Sequence, residues 1–195
     1  MRKKIGIILL IIILMFLYVP INRNISGGVA LETGLDKIIF ALPIFVVPYL
    51  SADVFWIVTI IFINYKNDFS YAKYFDLQMI IATLFSLLIY IVLPTFVVRA
   101  PVIGGDVFSN ILNWVYQNDM AYNAAPSGHT FYTIICVVAL FKALPKYKFI
   151  LLIYGAIVIL STLFTKQHYV LDVLIGGVFA GVVILFVDRI YKKSI

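Results

Sequence analysis

Apolar residues in this chain run on continuously, without the alternation of a half-buried strand or the one-sided stripe of a soluble helix. Short polar stretches separate the runs. The first run, residues 5–21, follows the charged start MRKK and is almost entirely Ile and Leu. It predicts a first spanning helix. A secretory leader is cut after a small-residue triplet, and SGGVALE offers none at a usual distance, so the helix is expected to stay. The second run, 38–65, is interrupted by Pro43, Pro48, Ser51 and Asp53. It predicts a short segment at the surface or re-entering, then a span over 45–64, with the prolines tolerated where neighbours satisfy the freed carbonyls. A third span is predicted over 77–98. After APVIGG comes DVFSNILNWVYQND, where Val107, Ile111, Leu112, Trp114 and Val115 stand among polar residues. That mixture predicts an amphipathic helix in the interface, with Trp114 and Tyr116 at headgroup level. Further spans are predicted over 127–144, 149–165 and 169–190. The expectation is an all-α polytopic membrane bundle of six transmembrane helices in one domain over 1–195, with no internal repeat.

Composition strengthens this picture. The chain of 195 residues is 64% hydrophobic and 12% charged. A soluble domain of that size would expose a continuous apolar surface, so a soluble globule is excluded. The net charge of +6 with a pI near 9.3 would suit a nucleic-acid binder, but the lysines stand at the ends of apolar runs and set topology instead. With the N-terminus in the cytoplasm, 11 of the 15 Lys and Arg residues fall on inner segments. The four outer ones are Arg23, Lys37, Arg99 and Lys166. The positive-inside bias therefore predicts cytoplasmic N- and C-termini and no nucleic-acid partner. The single cysteine, Cys136, allows no internal disulfide and reads as a packing residue. The small size and simple loops point to a bacterial plasma membrane.

The chain's two histidines both fall on the predicted outer side. His129 lies in AAPSGHTFY, where Pro126 and Ser127 suit a helix start and Gly128 permits close backbone approach. The unpaired N–H groups of a first helical turn form an anion site, into which His129 can deliver a proton. The plainer reading is an ordinary helix start with an interfacial histidine. In STLFTKQHYVLD, His168 and Asp172 are four residues apart and share a helix face. Asp172 can hold one ring nitrogen and leave the other free as base or nucleophile. A carboxylate inside an apolar helix is costly without such a partner, although a structural ion pair would also satisfy it. Lys166 adds a cation nearby. Arg99, at the outer end of the third span, suits phosphate oxygens, or merely marks the membrane boundary by snorkelling.

Taken together, these segments resemble the type 2 phosphatidic acid phosphatase superfamily, whose pattern is K-x6-R-P, P-S-G-H and S-R-x5-H-x3-D. The second element stands intact at Pro126, Ser127, Gly128 and His129. The third matches at Ser161, His168 and Asp172, with Thr162 in the arginine position. In the first, Val92 stands for the lysine, and Ala100 separates Arg99 from Pro101. The KQHYVLD form is also similar to the branch of inositol phosphorylceramide synthase-like transferases. The resemblance implies that His168 is the nucleophile, oriented by Asp172, and that His129 is the proton donor. Arg99, Ser127, Gly128 and Lys166 would hold the phosphoryl oxygens, Lys166 replacing the missing arginine. It implies a metal-independent, cofactor-free phosphatase in the lipid bilayer, facing the extracytoplasmic side. Its substrate would be a membrane lipid phosphate such as phosphatidic acid, phosphatidylglycerol phosphate or a polyprenyl diphosphate. Transfer of a phospho-headgroup to an alcohol is the alternative chemistry, and a non-catalytic binding protein the alternative class.

Overall fold

In hydrocarbon a backbone must satisfy its own hydrogen bonds, so each long apolar run becomes a helix. The computed structural model describes residues 2–99 and 101–192. Met1, Ala100 and residues 193–195 lie outside the described residues, and with them the insertion between Arg99 and Pro101 and the terminal Lys193. The first run forms α1 (Arg2–Phe16) and α2 (Tyr18–Asn24), which continue each other across Leu17. Pro20 supplies the break, because it has no N–H to offer the carbonyl of Phe16. A short α3 (Gly34–Ile38) follows on the connecting loop. A 3-10 turn, Pro43–Phe45, then leads into α4 (Val46–Lys66), with Pro48 in the first turn, where an N–H is not needed.

The third span is α5 (Phe69–Val92), not 77–98. It starts early because the Asp68 carboxylate caps it, accepting from the Tyr71 N–H at 2.7 Å. Ser70 and Lys73 in its first turns are exposed, while Asp76 is buried and accepts from the Asn64 amide at 2.8 Å. It stops early because Pro94 cannot continue it. Thr95 and Phe96 instead bridge to Val29 and Tyr122. Arg99 therefore lies on an extended connection beyond the helix, not at its end.

The amphipathic stretch forms α6 (Val107–Asn118), capped by Asp106. Its Leu112 and Val115 pack against Val46 and Tyr49, while Val107 and Trp114 stay exposed. The remaining helices are α7 (Gly128–Ala143), α8 (Lys148–Phe164) and α9 (Val170–Lys192). Among the described residues, five stretches are long and apolar enough to cross a membrane; α7 is apolar but shorter, at 16 residues. A rise of about 24 Å falls short of the ~30 Å hydrocarbon core. The helix is packed among α4, α5, α8 and α9, and nine of its residues are buried, so it meets protein where the others meet lipid.

The start of helix α7 is fixed by its contact with α9. A Cβ on Gly176 would stand 2.9 Å from the Ser127 carbonyl oxygen and 3.1 Å from its nitrogen. Backbone at that distance cannot yield, so Gly176→Ala is expected to push α9 off the start of α7 and to destabilise the protein by about 1–3 kcal/mol. A thermal shift in detergent measures this; an unchanged midpoint would contradict the close approach.

Candidate active site

The connections 25–42, 93–127 and 165–169 gather at one end of the bundle. They are joined by the bridges Val29–Thr95 and Phe96–Tyr122 and by Lys166 reaching back to α3. The start of α7 is pinned there. The Ser127 N–H donates to the Asp172 carbonyl at 3.1 Å, and Tyr90 donates to the Pro126 carbonyl at 2.7 Å. The Ser127 hydroxyl caps the helix, accepting from the Thr130 N–H at 3.4 Å and the Thr130 hydroxyl at 3.1 Å.

His129 projects from this first turn into an aromatic cradle. Its ring stacks on Tyr49 with centroids 4.0 Å apart and meets the edge of Trp56 at 5.0 Å. Its Nε2 is buried without a partner. His168 precedes α9, on a turn that closes α8. Lys166 takes the left-handed conformation, φ 53°, common just past a helix end. The Gln167 and His168 N–H groups both donate to the Thr162 carbonyl, at 3.0 and 3.2 Å. The turn brings the two imidazoles to 6.3 Å between ring centroids. Behind His168, its Nδ1 stands 3.8 Å from Asp172 Oδ2, and Asp172 is fully buried. That oxygen accepts from the Tyr169 N–H at 2.7 Å, while Oδ1 is unpartnered. A small ring rotation would close the imidazole–carboxylate bond, as catalytic pairs often do only on binding substrate.

Arg99 folds back over the site. Its guanidinium donates to the carbonyls of Asp119 at 2.5 Å and Met120 at 3.2 Å, and to the side-chain oxygen of Gln167. It lies 4.9 Å from the Tyr116 ring centroid and 3.9 Å from the Asp119 carboxylate. Burial pushes the Asp119 carboxyl above the usual aspartate range, and Arg99 and the Tyr18 hydroxyl oppose that rise. Arg99, Gly128, His129 and His168 all line one cavity of about 420 Å³. The cavity continues along an apolar wall of Ile12, Met15, Phe16 and Val19 from the first span and Ile57 from α4.

Two expected phosphate holders are placed elsewhere. Ser127 does not line the cavity, because its hydroxyl serves the helix cap. Lys166 points outward, its ammonium donating to the carbonyls of Asp36, at 2.9 Å, and Ile39. Asp36 in turn caps α9, accepting from the Val170 N–H at 2.8 Å. Lys166 thus straps α3 to the start of α9. Thr162, where the arginine was expected, is sealed inside α8 with its hydroxyl on the Ile159 carbonyl at 2.7 Å. Lys166→Met is accordingly expected to destabilise the protein by about 1–3 kcal/mol through the lost charged hydrogen bonds while leaving KM within about threefold. A larger rise in KM at unchanged thermal stability would return Lys166 to the phosphate. Among the described residues, no three His, Cys, Asp or Glu side chains gather as a metal site.

Residues 24–186 match the family model for the PAP2 superfamily. The chain belongs to the PAP2 superfamily. No curated protein and no solved structure matches it. PAP2 membership supports a phosphatase-type activity on phosphoesters and hence a hydrolase. In this PAP2 chain the residues missed by sequence reasoning are Tyr49, Trp56, Asp119, Asn123 and Gln167, all lining the cavity. Gln167 carried a weak signal, being next to His168. Tyr49 and Trp56 carried none, because aromatic residues in an apolar span read as packing.

Proposed function

We propose that this chain is a membrane lipid phosphate phosphatase that works through a phosphohistidine at the extracytoplasmic face. One observation carries the proposal: both imidazoles and Arg99 line a single cavity that also has apolar lining from Ile12, Met15, Phe16 and Val19 of the first span. Such a shape suits an amphiphile, with the phosphate at the histidines and the tail along the first span. His168 attacks phosphorus and a P–N bond forms. The P–O bond to the lipid breaks, and His129 gives its proton to the departing alkoxide. Water then attacks phosphorus, His129 takes a proton from it, the P–N bond breaks to free His168, and inorganic phosphate leaves. Arg99 and the backbone at Gly128 stabilise the charge on the non-bridging oxygens. The lysine and arginine distribution supports six spans with both termini inside and the site outside.

A second reading is favoured by a specific feature. Among the described residues lining the cavity, one Arg and no Lys faces two carboxylates, Asp53 and Asp119. A diester, carrying one charge, needs fewer cations than a monoester. An alcohol would then replace water as acceptor, and a phospho-headgroup would be transferred. Purified protein in detergent, screened over lipid monophosphates and diphosphates, is expected to release inorganic phosphate. Headgroup exchange without phosphate release favours the transferase, and inertness toward every lipid phosphoester sinks both.

A further inference from the structure

The unpartnered polar atoms of this protein are concentrated in one place. Among the described residues, buried side-chain nitrogens or oxygens without a hydrogen bond occur on Gln78, Arg99, Asn123, His129, Gln167, His168 and Asp172. Gln78 lies elsewhere and Asp172 stands behind His168; the other five line the cavity. Buried donors are costly to leave unpaired, so a site collects several where a ligand supplies the acceptors.

Two of these residues, Asn123 and Gln167, have no part in the chemistry described so far. The side-chain oxygen of Gln167 already accepts from Arg99, which fixes the amide and leaves its Nε2 without a partner. Asn123 sits at φ 61°, a backbone asparagine tolerates better than most residues, and is 1% exposed with both ends of its amide unpaired. Arg99 contributes its Nε, also unpaired. Two of the three Lys/Arg positions in the superfamily pattern are filled by Val92, exposed on α5, and Thr162, sealed in α8, leaving Arg99 at the third.

We propose that Asn123, Gln167 and Arg99 Nε form a hydrogen-bond cradle for the non-bridging oxygens of a phosphoryl group bearing one negative charge. The proposal rests on phosphoryl transfer at His168 and holds for either acceptor. Neutral amides stabilise an oxyanion less than charged donors do. A second phosphoryl charge would enter a largely buried site whose guanidinium already faces the Asp119 carboxylate at 3.9 Å. A singly charged phosphoryl group has two sources, a lipid phosphodiester or the protonated form of a monoester.

The test uses the full chain in detergent at pH 8, where a monoester, with its second pKa near about 6, carries two charges. Dodecyl phosphate and dodecyl methyl phosphate share a tail and differ by one charge. The methyl ester is expected to bind more tightly to the wild type. Asn123→Gly keeps the left-handed backbone and deletes the amide; Gln167→Met keeps the length and deletes the donor. Each is expected to weaken the methyl ester by about tenfold. Asn123→Lys is expected to move the preference toward dodecyl phosphate by about tenfold, a ratio that does not depend on how much protein is folded. Tighter wild-type binding of dodecyl phosphate, or wild-type affinity in both deletion variants, overturns the proposal. Turnover of a diester lipid at pH 8 identifies a headgroup as the source, and turnover of a monoester alone, at a rate that falls about tenfold per pH unit above its second pKa, identifies the protonated phosphate. Failure to turn over either lipid refutes the proposed function while the binding ratio still reads the cradle.

Discussion

Replacing His168 by alanine is expected to lower kcat by at least about 10⁴-fold, the scale on which removal of a covalent nucleophile acts. His168 lines the cavity and has Asp172 behind its Nδ1 at 3.8 Å. The ring is reached from a turn whose backbone is tied to the Thr162 carbonyl, so the alanine variant retains the scaffold and should bind lipid phosphate. Chemistry, not binding, is what it loses. Asp172→Asn is expected to cost less, about 10²–10⁴-fold, because it disturbs only the tautomer and orientation of the imidazole. Asp172 also accepts from the Tyr169 N–H at the start of α9, so that variant should lose stability as well as rate. Rapid quenching with a lipid labelled in its phosphoryl group should trap an acid-labile, base-stable label on wild-type protein and none on His168→Ala. Comparable labelling of the two proteins would remove the covalent step.

What could be read in advance follows from how local each feature is. The helices were legible because hydrocarbon leaves a continuous apolar run no other structure. The start of α7 was legible because Ser127 and Gly128 act within one turn; His168 was expected on one helix face with Asp172, whereas it stands on the turn before α9, 3.8 Å from the Asp172 carboxylate. The misread features depend on partners far away in sequence. Lys166 looked like a phosphate ligand, yet its ammonium meets the carbonyl of Asp36, 130 residues earlier. Arg99 looked like a helix end, yet the chain turns at Pro94 and pairs with Val29 and Tyr122. The early start of α5 was hidden because Asp76 and Asn64, polar in sequence, satisfy each other inside the bundle. Asn123 gave no sign, because an unpaired amide becomes informative only once the cavity around it is known.

Removing His129 should produce a loss that depends on what leaves the phosphorus. For a lipid alkoxide, a very poor leaving group, the protonated imidazole must supply a proton as the P–O bond breaks, and His129→Ala is expected to cost about 10²–10⁴-fold in kcat/KM. For a nitrophenyl ester, whose leaving group is stable as an anion, the same variant should lose less than about tenfold. The structure supports the contrast. His129 stands 6.3 Å from His168 between ring centroids, on the same cavity, and its Nε2 has no partner within the protein. Tyr49 stacks on one side of its ring and Trp56 abuts it edge-on, so the direction in which the nitrogen points is set by packing. A matched series of short-chain alkyl and nitrophenyl phosphoesters, assayed on wild type and His129→Ala, reads the slope of rate against leaving-group basicity. That slope should steepen in the variant, since the departing oxygen must then carry its full charge. Parallel slopes would mean that His129 holds the substrate without moving a proton, and the acid would have to be sought among the other cavity groups, with Asp119, whose carboxyl is raised by burial, the first to replace.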